Sequence, residues 1–231
     1  MISIIVPLYN EEKNILSLTE RLATLRGEPQ ILLIDGGSAD DTVSLAQAAL
    51  SRRPLLNARV VFAQKGRAKQ CNAGADEAEG DVLFFLHADG VIEPDAPLLI
   101  ERAVRSGAEW GCLRLRFDDP HPLMTLCAYM SNLRARRGIV FGDQGIFIRA
   151  PLFRLTGGFP DMPIMEDYEF SLRLKRARVS PIRINSPIIT SARRFAARGR
   201  LRTMLDMARL RALYRRGVSA EEIALMYGDV R

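Results

Sequence analysis

The sequence predicts an α/β fold, a mainly parallel sheet with helices on both faces, and three observations carry that prediction. β-branched apolar runs recur at residues 2–8, 31–34, 59–63 and 82–86. Stretches of helical periodicity separate them. The polar clusters that look chemical, Tyr9, Asp35, Gly66-Arg67 and Asp89, all follow the carboxyl end of such a run. In open α/β sheets ligands collect at that edge.

Residues 2–8 have the composition of a strand buried on both faces. Asn10 then offers a helix cap, with Ile15, Leu18, Leu22 and Leu25 at helical spacing, and Gly27 and Pro29 stop that helix. The strand at 31–34 closes on Asp35-Gly36-Gly37-Ser38, where Ser38 is placed to cap the next helix. That helix carries Val43, Leu45, Ala46, Ala49 and Leu50 on its apolar side. A strand at 59–63, a helix at 68–78 and a strand at 82–86 complete the first half, which ends on His87-Ala88-Asp89. Right-handed crossovers make this succession parallel.

The second half is organised differently. It reads as a strand at 110–117, a helix at 123–136, a strand at 146–149, a helix at 165–178, a strand at 181–184 and a helix at 201–215. The last helix shows an apolar stripe of Leu201, Met204, Leu205, Ala208 and Leu213. No linker rich in Gly, Ser or Pro divides the chain, so residues 1–231 are expected to form one domain. Within it, 1–90 form a nucleotide half, 91–195 an acceptor and catalytic half, and 196–231 a basic helical segment.

The 231 residues, 48 % apolar and 26 % charged, suit a globular protein with a sizeable core. The opening segment lacks the basic region and cleavage site of a signal peptide, and no run approaches the roughly 20 apolar residues that span a bilayer. Cys71, Cys112 and Cys127 lack metal-ligand spacing and read as reduced thiols, which places the protein in the cytoplasm. The net charge is +6, and nine arginines fall between positions 193 and 216. They form a solvated helix face, a phosphate-binding segment or a face for anionic lipid at the inner membrane surface. No nucleic-acid module accompanies them.

Neither a G-x-G-x-x-G turn nor a phosphate loop is present, which weakens dinucleotide and P-loop readings. Tyr9 can instead stack on a nucleobase with Glu11 beside it, although packing and an early-helix charge explain each residue equally well. Lys65 and Arg67 stand where a helix begins, a position that disfavours cations unless an anion or base edge is near. Asp89 ends a buried strand and is a natural ligand for a hard divalent cation, with His87 on the same face. Glu166-Asp167 opens an amphipathic helix, where Asp167 suits general-base work and Glu166 can raise its pKa or orient it. Gly142-Asp143-Gln144-Gly145 and Gly157-Gly158-Phe159 are flexible turns suited to an acceptor pocket.

In order, VPLYNEE, IDGGSADDT, KGRAKQCNAGA, GDVLFFLHAD, GDQGIFIR and GGFPDMPIMEDYEFSLRLK resemble family-2 glycosyltransferases of the GT-A fold, over residues 2–195. The wording is most similar to a small soluble bacterial subgroup of unassigned substrate. The resemblance implies an inverting, metal-dependent transfer from a nucleotide-sugar donor, most often UDP-linked, to an acceptor hydroxyl on a lipid or other small molecule. Asp167 is then the base, supported by Glu166, and Mn²⁺ or Mg²⁺ is held by Asp89 and His87. Pro7, Tyr9, Glu11, Asp35 and Arg67 match nucleoside-holding positions, and Lys65 and Asn72 join them as donor contacts. Gln144 is expected on the substrate side, and Arg193 and Arg194 near the diphosphate.

Two departures stand out. Gly36 occupies the slot where many relatives carry a second acid, and His87-Ala88-Asp89 replaces the usual Asp-x-Asp. The chain lacks the Gln-x-x-Arg-Trp segment of processive synthases. Two rival readings are weaker. A sugar-nucleotidyltransferase wants a Gly-rich loop after the first strand, and a non-catalytic nucleotide-sugar-binding protein has no use for both Asp89 and the Glu166-Asp167 pair.

Overall fold

A computed structural model describes residues 1–227. Its centre is one eight-stranded sheet in the order β3-β2-β1-β4-β7-β6-β8-β5. The strands are β1 (Ile2–Leu8), β2 (Gln30–Asp35), β3 (Ala58–Phe62), β4 (Val82–Phe85), β5 (Val91–Ile92), β6 (Trp110–Phe117), β7 (Ile146–Arg149) and β8 (Ile182–Thr190). β1 pairs in parallel with β2 and β4, and β2 with β3. β7 runs antiparallel to both β4 and β6, while β6 and β8 are again parallel. The strands of the two halves therefore share one sheet, joined where β4 meets β7.

Helices cover both faces. Among them are α1 (Ile15–Ala23), α2 (Thr42–Ser51), α3 (Arg67–Asp76), α4 (Ala96–Arg105), α5 (Pro122–Arg136), α6 (Ala150–Leu155) and α7 (Glu166–Arg176). The strand alternation sorts the core. Ile4, Val6, Ile31, Leu33 and Phe84 pack under α1, α2 and α4, whereas Ile5, Leu32, Ile34 and Phe85 pack under α3, α6 and α7. All six residues of β2 are buried, and its inner four, Ile31 to Ile34, form a continuous apolar run. Gly74 lets α3 lie close on the sheet, because a Cβ there would stand 2.4 Å from Ile5 Cγ2.

The chain ends in α8 (Arg193–Arg198), α9 (Arg200–Arg215) and α10 (Ala220–Tyr227). The expected apolar stripe of α9 faces inward only in part, through Met204 and Leu213. Thr203 and Leu210 are buried, while Leu201 and Leu205 stand 57 % and 61 % exposed. α9 packs beside α5 through Met204 and Met207, which join Cys127 against the cluster of Met124, Ala192 and Phe195. This contact leaves the Leu201 side of the helix outward.

Other expectations are also corrected. Asn10 is not a helix cap. Its φ is +54°, and its side chain accepts the N–H of Ala39 at 3.0 Å, tying the β1 loop to the β2 loop. Ser38 donates to Asp35 Oδ1 and accepts from the N–H of Asn10, and Asp41 precedes α2 instead. β8 extends well past residue 184, because the irregular Asn185-Ser186-Pro187 stretch sits beside a register shift against β6. α4, α6, α10 and short β5 were not anticipated.

Candidate active site

A cavity of about 340 Å³ opens beyond the ends of β4 and β8. It gathers residues far apart in the chain: Arg67, His87, Asp89, Asp143, Glu166, Asp167 and Arg194 all line it. The loop after β4 delivers Asp89 as an exposed carboxylate and His87 as a partly buried ring. Burial, then the Arg67 charge, pushes His87 down to about 3, so its imidazole is neutral at physiological pH. Arg21 of α1 donates to the carbonyl of Ala88 at 3.3 Å and lends positive charge beside Asp89.

The acid pair stands at the start of α7, where the dipole favours anions. Met165 before it has φ +67°, a left-handed turn that sets the helix's entry angle. Asp167 Oδ2 accepts the N–H of Gly142 at 2.8 Å, and Oδ1 accepts that of Tyr168 at 2.7 Å. Glu166 is buried, and Arg67 Nη1 lies 3.1 Å from its Oε1. This is an ion pair by distance, with no N–H aimed squarely at that oxygen. Burial raises the Glu166 carboxyl, while Arg67 opposes the shift. The expected conflict at the start of α3 is thus resolved by an internal carboxylate reaching Arg67.

The 3-10 turn Gly142–Gln144 closes the cavity from the other side. A Cβ on Gly142 would stand 2.6 Å from His87 Nε2, so this backbone packs directly on the imidazole. Asp143 is pushed up to about 6 by burial, opposed by Arg134, with Asp167 and Asp89 adding to the rise.

The residues expected on the donor side form a separate group along β1, β2 and α3. Pro7 and Tyr9 are partly buried, and Lys65 Nζ lies 4.0 Å above the Tyr9 ring. Glu11 accepts from Asn14 at 2.8 Å. Asp35 is 1 % exposed, and its oxygens accept the N–H groups of Gly37 and Ser38 and the Ser38 hydroxyl. This geometry makes Asp35 the clasp of its own turn. Gln70 explains Gly36: its amide donates to the carbonyls of Leu8 and Ile34 at 2.7 Å, and a Cβ at position 36 would stand 2.9 Å from Gln70 Cδ. The buried amide fills the space that a second acid would need.

Three expected contacts are not brought to the cavity wall. Gln144 is fully buried, its amide 3.9 Å from Cys112 Sγ. Asn72 spends both ends of its amide on the backbone of Phe159, at 2.8 and 2.9 Å. Arg193 is exposed outside the cavity, whereas Arg194 lines it and stacks 3.7 Å over Tyr227. Sequence reasoning missed Arg21 and Arg134. Each sits on a helix whose pattern marks it only as polar.

Asp89 and His87 are two donors, and among the described residues no three His, Cys, Asp or Glu side chains are arranged to hold a metal ion on their own. This sparse set fits a hard divalent cation that takes its remaining ligands from water and phosphate oxygens.

The eight-stranded sheet with helices on both faces is the GT-A fold, which the solved structures similar to it share. The chain belongs to glycosyl transferase family 2, which residues 3–156 match. It is 29 % identical over 161 residues to an undecaprenyl-phosphate 4-deoxy-4-formamido-L-arabinose transferase of Pseudomonas fluorescens, covering 64 % of this chain and 46 % of that protein. The chain thus spans about half the length of the curated relatives it matches. S. aureus TarS 1–349 in complex with UDP-GlcNAc is similar at a TM-score of 0.63 and 19 % identity, over 82 % of this chain and 58 % of that one. The mannosyltransferase PcManGT of Pyrobaculum calidifontis, with GDP-Man and Mn²⁺, is similar at 0.62 and 20 %, over 82 % and 56 %.

Proposed function

We propose that this protein transfers a sugar from a nucleoside diphosphate donor, UDP-linked as the first choice, to the hydroxyl of an apolar acceptor with inversion. One observation carries the reading: Asp167, Asp89, His87 and Arg67 converge on one cavity although they come from three separate segments. Asp167 takes the proton of the acceptor hydroxyl as its oxygen bonds to the anomeric carbon. The bond from that carbon to the diphosphate breaks, and its electron pair leaves with the nucleotide. The Gly142 and Tyr168 N–H groups hold the carboxylate in place for this transfer. Glu166 anchors Arg67, whose cation faces the charge that gathers on the leaving group.

Asp89 and His87 are the residues that would hold Mn²⁺ or Mg²⁺, and the ion would neutralise the diphosphate. Tyr9, with Lys65 over its ring, is the proposed platform for the base, and Pro7 and Glu11 flank it. Residues 1–90 act as the donor half and 91–195 as the acceptor half.

The acceptor side is apolar. Phe117, Met130, Phe195, Met204, Met207 and Leu210 line the cavity between α5 and α9. Outside it, Leu126, Tyr129, Leu201 and Leu205 are exposed on the same two helices, which carry an arginine-rich surface. This supports a lipid acceptor reached from an anionic membrane surface, with the protein bound peripherally on its cytoplasmic side. No helix among the described residues is long and apolar enough to cross a membrane.

Release of nucleotide from a panel of UDP- and GDP-sugars, with octyl alcohols as acceptors, tests the reading. Turnover of at least one pair is expected; binding of every donor without turnover would refute transfer.

A further inference from the structure

Arg134 of α5 and Arg211 of α9 both line the cavity between these two helices and both lie against the Phe141 ring. The Arg134 guanidinium lies 4.1 Å from the centroid of the Phe141 ring, and that of Arg211 lies 5.9 Å from the same ring. Neither makes an ion pair or a side-chain hydrogen bond among the described residues, and Arg134 Nε is buried without a partner. A guanidinium stays charged at any physiological pH. Two of them, partly desolvated and without a carboxylate in contact, are an unfavourable arrangement unless a ligand completes it. The acid nearest in charge is Asp143, whose Oδ1 is itself buried without a partner.

We propose that Arg134 and Arg211 form a phosphate-binding subsite on the acceptor side, which takes a phosphate group carried by the apolar acceptor. The inference rests on the acceptor reading above and names a second recognition element of that molecule. Guanidinium forks match phosphate oxygens. Phe141 holds the two cations in register by stacking, and Cys127, Met130, Met207 and Leu210 line the wall beside them. The subsite thus reads an anionic head while the methionine-lined wall takes the chain.

The same phosphate chemistry could come from the donor's diphosphate, and binding measurements separate the sources. Calorimetric titration with octyl phosphate, kept below its micelle concentration, is compared with octanol and with UDP plus Mn²⁺. Wild type is expected to bind octyl phosphate at least ten times tighter than octanol. Arg134→Gln and Arg211→Gln are each expected to lose about tenfold for octyl phosphate while UDP binding stays within twofold, with circular dichroism confirming the fold. Among the described residues Arg134 has a buried side-chain nitrogen without a partner and Arg211 has none, so the Arg211 variant remains informative if Arg134→Gln fails to fold. Equal losses for UDP and octyl phosphate would assign the pair to the donor and overturn the proposal. So would octyl phosphate and octanol binding alike. Absence of turnover with every nucleotide sugar would sink the transfer reading and leave this binding comparison intact.

Discussion

The Asp167 carboxylate is held by the backbone of Gly142, whose N–H donates to Oδ2 at 2.8 Å across 25 residues of chain. The same glycine packs against the His87 ring, so one backbone position contacts both the proposed base and the loop that carries Asp89. Asp167→Asn keeps the size of the side chain and removes its capacity to take a proton. UDP affinity is expected to stay within a few-fold while kcat falls by about 10²–10⁴. Steady-state kinetics with a parallel UDP titration check this. Near-normal turnover would assign the base elsewhere.

Gly142→Ala tests the packing directly. The new methyl would meet His87 Nε2 at 2.6 Å and Asp167 Oδ2 at 3.5 Å. Overpacking of this kind costs about 1–3 kcal/mol, and turnover is expected to fall with it. Because the clash is with one ring, Gly142→Ala combined with His87→Ala should recover part of the stability. Denaturant titration of the two singles and the double measures that coupling; strict additivity would show that the ring is not the obstacle.

Much of this was legible in the sequence. β1, β6 and β7 match their apolar patterns because buried strands read as continuous or alternating runs. Asp89, Asp167, Arg67 and Arg194 were all singled out and share the cavity. What the sequence did not carry was pairing across distance. Glu166 reaching Arg67, Asn72 held by Phe159 and Gln70 filling the space at Gly36 are contacts over 34 to 99 positions, or side chains aimed by helix packing. The α9 stripe misled at Leu201 and Leu205 because apolar residues that point outward have the same period as those that point inward.

Asp143 gives a pH signature. Its carboxyl is pushed up from the usual range to about 6, so between about 4 and 6 the folded protein keeps a proton that the unfolded chain has released. This contribution is present below the unfolded pKa and is lost as pH rises through 6. Asp143→Asn, which cannot ionise, should therefore raise Tm relative to wild type at pH 7.5, with the difference shrinking toward zero near pH 4. Differential scanning across that range tests it; a gap independent of pH would mean that the ionised carboxylate is not the cause. His87 acts in the opposite sense over its own window. Its pKa is depressed to about 3, so its contribution is full above the unfolded value near 6.5 and declines as pH falls through that window. Comparison of each variant with wild type at the same pH separates the two.

The arginine-rich helices predict a salt-dependent membrane affinity. Sedimentation with liposomes containing about 30 % anionic lipid should capture the protein at low salt and release it at about 0.5 M salt, where screening is short-ranged. Leu201→Ser with Leu205→Ser should weaken capture further if the exposed leucines insert. Equal binding to neutral liposomes would contradict the electrostatic part, and capture unchanged by the serine pair would contradict the insertion.

The most direct test of a diphosphate bound through a metal at Asp89 is a calorimetric titration of UDP into wild type and Asp89→Ala, each with Mn²⁺ and with EDTA. The account predicts tight binding only for wild type with Mn²⁺, at least tenfold weaker binding in EDTA, and no effect of Mn²⁺ on Asp89→Ala. Equal UDP affinity in all four titrations would contradict it.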